Sequence, residues 1–263
     1  MQLSESSMLQ GKTALVTGST SGIGLGLALK LAEQGANLIL NGFGDFQSAI
    51  SAVTAHGVPV HYHPADMSRP EEIEAMMQFA AEHHGGVDIL VNNAGVQHVA
   101  NVEDFPVEKW NSILAINLSS AFHTTRLAIP YMKSKQWGRI LNIASAHGLI
   151  ASAQKSAYVA AKHGLVGFTK SVALEVATTG ITVNAICPGW VLTPLVDKQI
   201  KDRSALENIP YEQAQKELLQ EKQPSLQFTT VEQLGDLAVF LCSQSAVNVQ
   251  GVAWQVDGGW TAR

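Results

Sequence analysis

The feature that most constrains the fold is a strand, a glycine turn and a helix near the amino terminus. Residues 12–17 form a compact apolar run, Gly18, Gly22 and Gly24 follow it, and residues 25–34 have helical periodicity. Such a run is typical of a parallel strand buried on both faces. Glycines allow the backbone to approach a phosphate, and free N–H groups at a helix N-terminus can bind it. The segment predicts a phosphate-containing cofactor at this turn, with a cofactor-free glycine turn as the alternative.

Strand and helix patterns alternate along the rest of the chain. Six further strands are predicted at residues 37–40, 59–62, 87–91, 138–143, 181–186 and 251–256. One long helix is predicted over residues 107–132 and a last helix over residues 231–242. The order predicts one α/β domain over residues 1–263, a doubly wound, Rossmann-type sheet of seven parallel strands. Residues 195–228 are polar and amphipathic, which predicts a small, mobile helical lid beyond the sheet edge.

The composition excludes several classes of protein. At 263 residues and 46% hydrophobic content the chain can bury one large core, and its net charge of −5 without a basic run excludes nucleic acid and anionic membranes as partners. Cys187 and Cys242 are interpreted as buried packing in a reducing compartment, and no metal site is predicted. The amino terminus has no basic start or apolar run, and no stretch approaches membrane-spanning length. We therefore expect a soluble, cytoplasmic protein.

The candidate chemistry lies in a pair four residues apart, Tyr158 and Lys162, within an Ala-rich stretch. On a helix the two side chains share one face. A positive charge at about 4 Å supplies about 4 kcal/mol at an effective dielectric near 20, which would lower a tyrosine pKa by roughly 3 units. Desolvation of the phenolate opposes this, so a second cation such as an oxidised nicotinamide is needed. Taken alone, such a pair is more often an ordinary surface contact.

Four segments give this pair a context: Thr17 to Gly24 with the spacing Gly-x-x-x-Gly-x-Gly, Asn92-Asn93-Ala94-Gly95, Ser145 with Tyr158 and Lys162, and Pro188-Gly189 following Asn184. With them the chain resembles the short-chain dehydrogenase/reductase family over nearly its whole length. The resemblance implies that Ser145 binds the substrate oxygen and that Tyr158 takes the hydroxyl proton as general base. It implies that Lys162 lowers the tyrosine pKa and holds the nicotinamide ribose. It also implies that Asn117 kinks its helix and holds a water that relays the proton.

The cofactor is predicted from the end of the second strand, which reads Asn41-Gly-Phe43-Gly. The acidic ribose ligand usual for NAD is missing there. No Lys or Arg occurs between Lys30 and Arg69, however, so a 2′-phosphate would meet no cation and would be crowded by Phe43. This favours NAD over NADP. Family resemblance assigns Asp66 to the adenine amino group, with an N-cap or turn role as the alternative. The implied cofactor contacts are Gly18, Thr20, Ser21, Gly22, Ile23, Gly24, Phe43, Asp66, Met67, Asn93, Ala94, Gly95, Tyr158, Lys162, Pro188, Gly189, Val191 and Thr193.

The substrate is predicted from polar residues that the common mechanism does not require. His147 lies two residues after Ser145, so in an extended segment both side chains point the same way. Lys155 precedes Tyr158 by three residues and shares its face if the helix has begun. With Gln97 and Gln199 they could surround a small carboxylate with a cation and neutral donors. Singly, each is also compatible with ordinary surface polarity.

Further segments narrow the resemblance to one group within the family, the bacterial D-3-hydroxybutyrate dehydrogenases. They are residues 41–44, 97–98, 145–148, 155, 187–190, 221–228 and 258–263. The resemblance implies reversible NAD-dependent oxidation of D-3-hydroxybutyrate to acetoacetate by a homotetramer. The implied substrate contacts are Gln97, Ser145, His147, Lys155, Tyr158, Trp190, Gln199 and Trp260, the two tryptophans beside the methyl group. The alternatives are a short-chain enzyme acting on another hydroxy acid, a polyol or a 3-oxoacyl substrate, and a catalytically silent NAD-binding scaffold.

Overall fold

The computed structural model describes residues 7–262, which form a seven-stranded parallel sheet with helices on both faces. The strands are β1 (Thr13–Val16), β2 (Asn37–Asn41), β3 (Val60–His63), β4 (Ile89–Asn92), β5 (Gly138–Ile143), β6 (Ile181–Pro188) and β7 (Ala253–Val256). The α-helices are α1 (Gly22–Glu33), α2 (Phe46–Thr54), α3 (Pro70–His84), α4 (Val107–Leu114), α5 (Ser120–Lys135), α6 (Ser156–Val176), α7 (Pro194–Glu207), α8 (Tyr211–Lys222) and α9 (Val231–Cys242). The predicted doubly wound fold is confirmed.

The sheet has the order β3-β2-β1-β4-β5-β6-β7, so the direction of winding reverses between β1 and β4. In open α/β sheets, ligands bind beyond the carboxyl ends of the strands at such a reversal. Strands β1, β4, β5 and β6 are buried at every residue, which explains their largely apolar sequences. Two apolar layers, one on each face, form the core.

Most predicted boundaries agree with the structure, and the differences lie at the element ends. Strand β5 and helix α9 occupy the predicted residues 138–143 and 231–242. Strand β6 continues to Pro188, two residues beyond the predicted end, because its partner β7 is paired as far as that residue. Cys187 and Cys242 are buried as expected, and burial raises their thiol pKa values to about 11 and about 12.

The long helix predicted over residues 107–132 is interrupted. Helix α4 runs into a π-helical turn, Ala115–Ser119, and then into α5. Asn117 lies in this turn, where its side-chain Oδ1 accepts from the N–H of Val96 at 2.8 Å and its Nδ2 donates to the Val96 carbonyl at 2.9 Å. A π turn widens a helix locally and is a recognised cause of bending.

Residues 195–228, predicted as a helical lid, contain most of α7 and all of α8. The two helices pack against each other around a small apolar cluster of Val196, Ile200 and Ala214. Trp190, which precedes these helices in the sequence, and Phe228, which follows them, also pack against this cluster. No helix within residues 7–262 has the length and apolarity needed to cross a bilayer.

Candidate active site

The glycine turn after β1 is held by side chains from the end of β4. The Thr17 hydroxyl accepts the N–H groups of Asn93 and Ala94, both at 3.0 Å. The Asn93 amide donates to the carbonyls of Thr17 and Gly18, at 2.9 and 3.0 Å. A side chain at Gly24 would collide with the Gly18 carbonyl and the Asn93 amide, so glycine is required there.

The start of helix α1 is suited to an anion. Its N-cap, Ser21, makes no side-chain cap, and the first turn contains no acidic residue. The N–H groups of the first turn therefore lack side-chain acceptors, and the positive end of the helix dipole faces the glycine turn. These residues fit the phosphates of a dinucleotide.

Two adjoining cavities open at the carboxyl edge of the sheet. The larger, of about 350 Å³, extends from the glycine turn past the end of β4 to Tyr158, Lys162 and Thr193. The smaller, of about 180 Å³, begins at Tyr158, which lines both. All eight predicted substrate contacts line the smaller cavity: Gln97, Ser145, His147, Lys155, Tyr158, Trp190, Gln199 and Trp260.

Thirteen of the eighteen predicted cofactor contacts line one of the two cavities: Gly18, Ser21, Gly22, Ile23, Gly24, Asn93, Ala94, Gly95, Tyr158, Lys162, Gly189, Val191 and Thr193. The other five, Thr20, Phe43, Asp66, Met67 and Pro188, lie outside both. Thr20 lies within the glycine turn, and Phe43, Asp66 and Met67 follow the ends of β2 and β3.

Helix α6 places Tyr158 and Lys162 one turn apart, as predicted. The buried Lys162 ammonium donates to the Ile143 carbonyl at 2.7 Å and lies 5.7 Å from the centre of the Tyr158 ring. Burial lowers the pKa of Lys162 to about 8. Burial also raises the pKa of Tyr158, and a hydrogen bond with Ser145 only partly opposes it. The lysine alone therefore does not offset the desolvation of a phenolate.

His147 lines the smaller cavity for a reason other than the predicted one. Residues Ala146–Gly148 form a 3₁₀ turn rather than an extended segment, and the Ser145 hydroxyl caps it by accepting the His147 N–H at 3.1 Å. The imidazole meets Tyr158 and Trp260 edge-on, with ring centres 5.9 and 5.1 Å away. Burial, followed by repulsion from nearby lysines, lowers the pKa of His147 to about 4. The ring is therefore neutral near pH 7.

Lys155 is the N-cap of α6, so the helix has not yet begun at this residue and the condition for a shared face with Tyr158 is not met. Its ammonium nevertheless reaches the smaller cavity and lies 5.7 Å from the centre of the Trp190 ring. Burial lowers the pKa of Lys155, and the charge of Lys222 adds to the effect. Gln97 and Gln199 are exposed at the mouth of the same cavity.

Lys222 is a site residue that the sequence did not identify. It ends helix α8, and its ammonium donates to the Ser152 hydroxyl at 2.6 Å and lies 5.2 Å from the centre of the Trp260 ring. The neighbouring Gln223 is buried. Its side-chain amide donates to the Gln227 carbonyl, and its side-chain oxygen accepts the backbone N–H of Trp190 at 2.8 Å. Residues 221–228 are among the segments that resemble the bacterial D-3-hydroxybutyrate dehydrogenases. No sequence signal indicated, however, that Lys222 lies beside Ser152, in a loop 70 residues earlier.

At the end of β2 the Asn41 side chain is buried and faces inward. Its amide donates to the carbonyls of His63 and Ala65, at 3.1 and 2.9 Å, and its oxygen accepts the Gly18 N–H at 3.3 Å. Phe43 is 68% exposed. Asn41 thus joins β2, β3 and the glycine turn, and Phe43 is the side chain left at the open edge.

Asp66 occupies the turn before α3, which was the alternative considered for it. One carboxylate oxygen accepts both the N–H and the hydroxyl of Ser68, each at 2.8 Å. The other lies 3.8 Å from Arg69, which is also 3.6 Å from Glu72. These hydrogen bonds lower the pKa of Asp66. The turn role is therefore present, and the adenine contact stays a prediction.

Comparison with known proteins agrees with this geometry. The family model described as short chain dehydrogenase matches residues 12–204. The chain belongs to the short-chain dehydrogenase/reductase family. It is accordingly an oxidoreductase by family, and the sequence-based recognition of the short-chain dehydrogenase/reductase pattern is confirmed.

Short-chain dehydrogenase/reductase relatives cover essentially the whole chain. A D-beta-hydroxybutyrate dehydrogenase of Cupriavidus necator is 66% identical over 97% of this chain and 100% of the relative. One of Rhizobium meliloti is 57% identical over 96% of this chain and 99% of the relative. Among solved structures, L-sorbose reductase from Gluconobacter frateurii, complexed with NADPH and L-sorbose, has a TM-score of 0.94 at 31% identity, covering 98% of this chain and 99% of that one.

Proposed function

We propose that this chain oxidises D-3-hydroxybutyrate to acetoacetate, reversibly, with NAD as the hydride acceptor. The observation that carries the proposal is the smaller cavity, where one cation, one neutral imidazole and two carboxamides lie beside Ser145 and Tyr158. Identities of 66% and 57% to two D-beta-hydroxybutyrate dehydrogenases support the same substrate.

The reaction removes a hydride from the substrate carbon and a proton from its hydroxyl. When bound, the nicotinamide supplies the hydride acceptor and a positive charge beside the phenol. Ser145 holds the substrate oxygen, and Tyr158 takes the hydroxyl proton. Lys162 stabilises the phenolate form and binds the nicotinamide ribose, and a water near Asn117 returns the proton to solvent. Donors placed before the reaction begins stabilise the developing alkoxide.

Four residues of the smaller cavity bind the substrate carboxylate. Lys155 supplies the positive charge, and His147, Gln97 and Gln199 supply neutral donors. No Asp or Glu lines this cavity within residues 7–262, so a carboxylate meets no like charge there. About 180 Å³ suits a four-carbon acid, and Trp190 and Trp260, whose rings stack with centres 6.1 Å apart, wall its methyl side.

NAD is favoured over NADP by what surrounds the end of β2. Asn41 is occupied by backbone partners, Phe43 is exposed beside it, and the intervening sequence contains no cation before Arg69. Arg69 is itself paired with Asp66 and Glu72. A 2′-phosphate would therefore find no unpaired positive charge among these residues.

We also propose that the chain is one domain with α7 and α8 as its lid, and that it assembles as a cytoplasmic homotetramer. Helices α5 and α6 carry exposed apolar side chains, with Phe122 47% and Leu174 81% exposed. An apolar cleft of about 330 Å³ lies between these helices and includes Phe168 and Val172. A partly apolar helical surface of this kind is suited to contact with a second copy.

A spectrophotometric panel tests the function. NAD and NADP are each combined with both enantiomers of 3-hydroxybutyrate, with neighbouring hydroxy acids and with polyols. We expect the highest kcat/KM for NAD with the D enantiomer, because the two relatives of 66% and 57% identity are D-beta-hydroxybutyrate dehydrogenases. A higher kcat/KM with a polyol or with NADP would contradict the proposed substrate or cofactor, respectively.

A further inference from the structure

A chain of two hydrogen bonds connects the lid to the substrate cavity. The Lys222 ammonium, at the end of α8, donates to the Ser152 hydroxyl at 2.6 Å. The same hydroxyl lies 2.9 Å from Nε2 of His147. Ser152 belongs to the loop that joins the 3₁₀ turn to α6, so the two hydrogen bonds connect helix α8, this loop and the 3₁₀ turn.

The direction of each hydrogen bond follows from the donors and acceptors that Lys222, Ser152 and His147 carry. An ammonium only donates, so the Ser152 oxygen accepts from Lys222. Within residues 7–262 the only acceptor at hydrogen-bond distance from the Ser152 hydroxyl proton is Nε2 of His147. If Nε2 also donated, the serine proton would have no acceptor among the described residues. The arrangement in which these residues satisfy the serine hydroxyl runs from Lys222 through Ser152 to an unprotonated Nε2.

The other ring nitrogen of His147 then carries the proton. The imidazole is neutral near pH 7, because burial lowers its pKa to about 4, and a neutral ring has one N–H. Nδ1 has no hydrogen-bond partner among the described residues, and it is not sealed from solvent. Since His147 lines the smaller cavity, this N–H is available to a ligand there.

We infer that Lys222 and Ser152 are positioning residues that fix the Nδ1–H form of His147 and so present a neutral donor to the substrate carboxylate. The inference rests on the proposed function for the identity of that carboxylate. Edge-on contacts with Tyr158 and Trp260 hold the ring plane, and the relay selects which nitrogen is protonated. Without the relay, the ring can adopt the other neutral form, which offers the carboxylate a lone pair instead of a donor.

Kinetics of single variants test the relay. Ser152→Ala removes the donor to Nε2 and leaves the charge of Lys222, and Lys222→Met removes the start of the relay. We expect each to raise KM for D-3-hydroxybutyrate about tenfold, with kcat and KM for NAD within about twofold, because one hydrogen bond to a charged group is lost. Lys222→Arg retains a cationic donor and should restore most of the affinity.

The matched control is Lys216→Met, which removes the same charge from an exposed position on the same helix. We expect its KM to equal that of the unaltered protein. An equal rise in KM for Lys216→Met and Lys222→Met would mean that overall charge, and not the relay, sets the affinity. That result would overturn the inference.

Nitrogen-15 NMR of the histidine-labelled protein tests the tautomer without any substrate, with His147→Gln used to assign the signal. We expect Nδ1 of His147 to be protonated in the unaltered protein and in Lys216→Met, and the Nε2–H form to appear in Ser152→Ala. An Nε2–H ring in the unaltered protein, or no change in Ser152→Ala, would overturn the relay. Because the measurement needs no turnover, it separates failure of the relay from failure of the proposed substrate.

Discussion

Tyr158 and Lys162 lie where burial opposes the charged form of each side chain. Burial raises the pKa of the phenol and lowers that of the ammonium to about 8. A phenolate therefore needs a second positive charge, which an oxidised nicotinamide carries and a reduced one lacks. If Tyr158 is the base, as proposed, its phenolate form is favoured when the oxidised cofactor is bound and the site is ready to oxidise an alcohol. The acid form is favoured when the site is ready to reduce a ketone.

Removing the Tyr158 hydroxyl tests its role as the base. Tyr158→Phe keeps the ring that packs against His147 and removes the group that exchanges the proton. We expect kcat to fall by at least about 100-fold, the usual worth of a general base, while affinity for NADH changes by less than about threefold. Steady-state rates and a fluorescence titration with NADH provide the two values. Retained turnover would refute the assignment.

Lys155 is the cation proposed to bind the substrate carboxylate. Lys155→Ala should raise KM for D-3-hydroxybutyrate by about 10- to 100-fold, because a hydrogen bond to a charged group is worth about 1.5–3 kcal/mol. Affinity for NAD should stay unchanged, since Lys155 lines only the smaller cavity. Lys216→Ala, at an exposed position on α8, is the control. Unchanged KM in Lys155→Ala would contradict the carboxylate site.

His147 makes the stability of the cofactor-free protein depend on pH. Its pKa is about 4 when folded against an ordinary 6.5, with Lys155, Lys222 and His163 as the charged or titratable groups that add to burial. The unfolded chain therefore binds a proton first as pH falls below 6.5, and stability is lost down to about pH 4. Relative to His147→Gln, we expect the unaltered protein to lose roughly 3 kcal/mol over this range. Urea unfolding at several pH values provides the comparison, and parallel pH profiles would contradict it.

At the scale of elements, the π turn at Ala115–Ser119 is the most informative departure from regular structure. It places Asn117 where its amide pairs with both backbone groups of Val96, just beyond the Asn92-Asn93-Ala94-Gly95 turn. The irregular helix thereby supports the strand-to-helix connection that lines both cavities. The family resemblance implied a kink at Asn117, but the pairing of its amide with the backbone of Val96 depends on tertiary contact.

Loss of this pairing should cost stability. Asn117→Ala removes both hydrogen bonds to the backbone of Val96, an exposed residue, and each such bond contributes about 0.5–1.5 kcal/mol. We expect the free energy of unfolding to fall by about 1–3 kcal/mol, measured by urea unfolding. Asn111→Ala, at an exposed position on α4, should change it by less than about 1 kcal/mol. Equal stability of the two variants would contradict the structural role of the π turn.

At the scale of the whole molecule, the reversal between β1 and β4 collects side chains from distant parts of the sequence at one edge. Ser145 follows β5, Tyr158 lies in α6, Gln199 in α7 and Lys222 ends α8. Helices cover both faces of the sheet. Two of them, α5 and α6, carry exposed apolar side chains on their outer surface, Phe122 and Leu174.

The proposed tetramer is tested on that surface. Leu174→Lys places a charge at the exposed apolar face of α6, and we expect light scattering to show a smaller assembly with an unchanged fold. Leu206→Lys, at a position 87% exposed on α7, is the control and should leave the assembly intact. A tetramer that survives Leu174→Lys would place the contact elsewhere.

The fold was predictable because its signals are local and periodic. Apolar runs identified β5 and α9 to the residue, and the spacing of Tyr158 and Lys162 fixed their shared face. His147 and Lys155 line the cavity although the structure has neither the extended segment nor the early helix start on which their predicted directions depended, so their placement rested on resemblance. Lys222 was missed because its contact with Ser152 joins residues 70 positions apart, and no periodic pattern encodes such a contact.

Asn41 has a consequence for attempts to redesign the cofactor preference. Its side-chain amide hydrogen-bonds to the end of β3 and to the glycine turn, so this residue already holds these two segments against β2. An acidic substitution there, the obvious way to install a ribose ligand, would leave the carbonyls of His63 and Ala65 facing a carboxylate. Engineering should begin instead at Phe43, whose side chain is exposed and whose carbonyl alone is held, by the Thr20 hydroxyl.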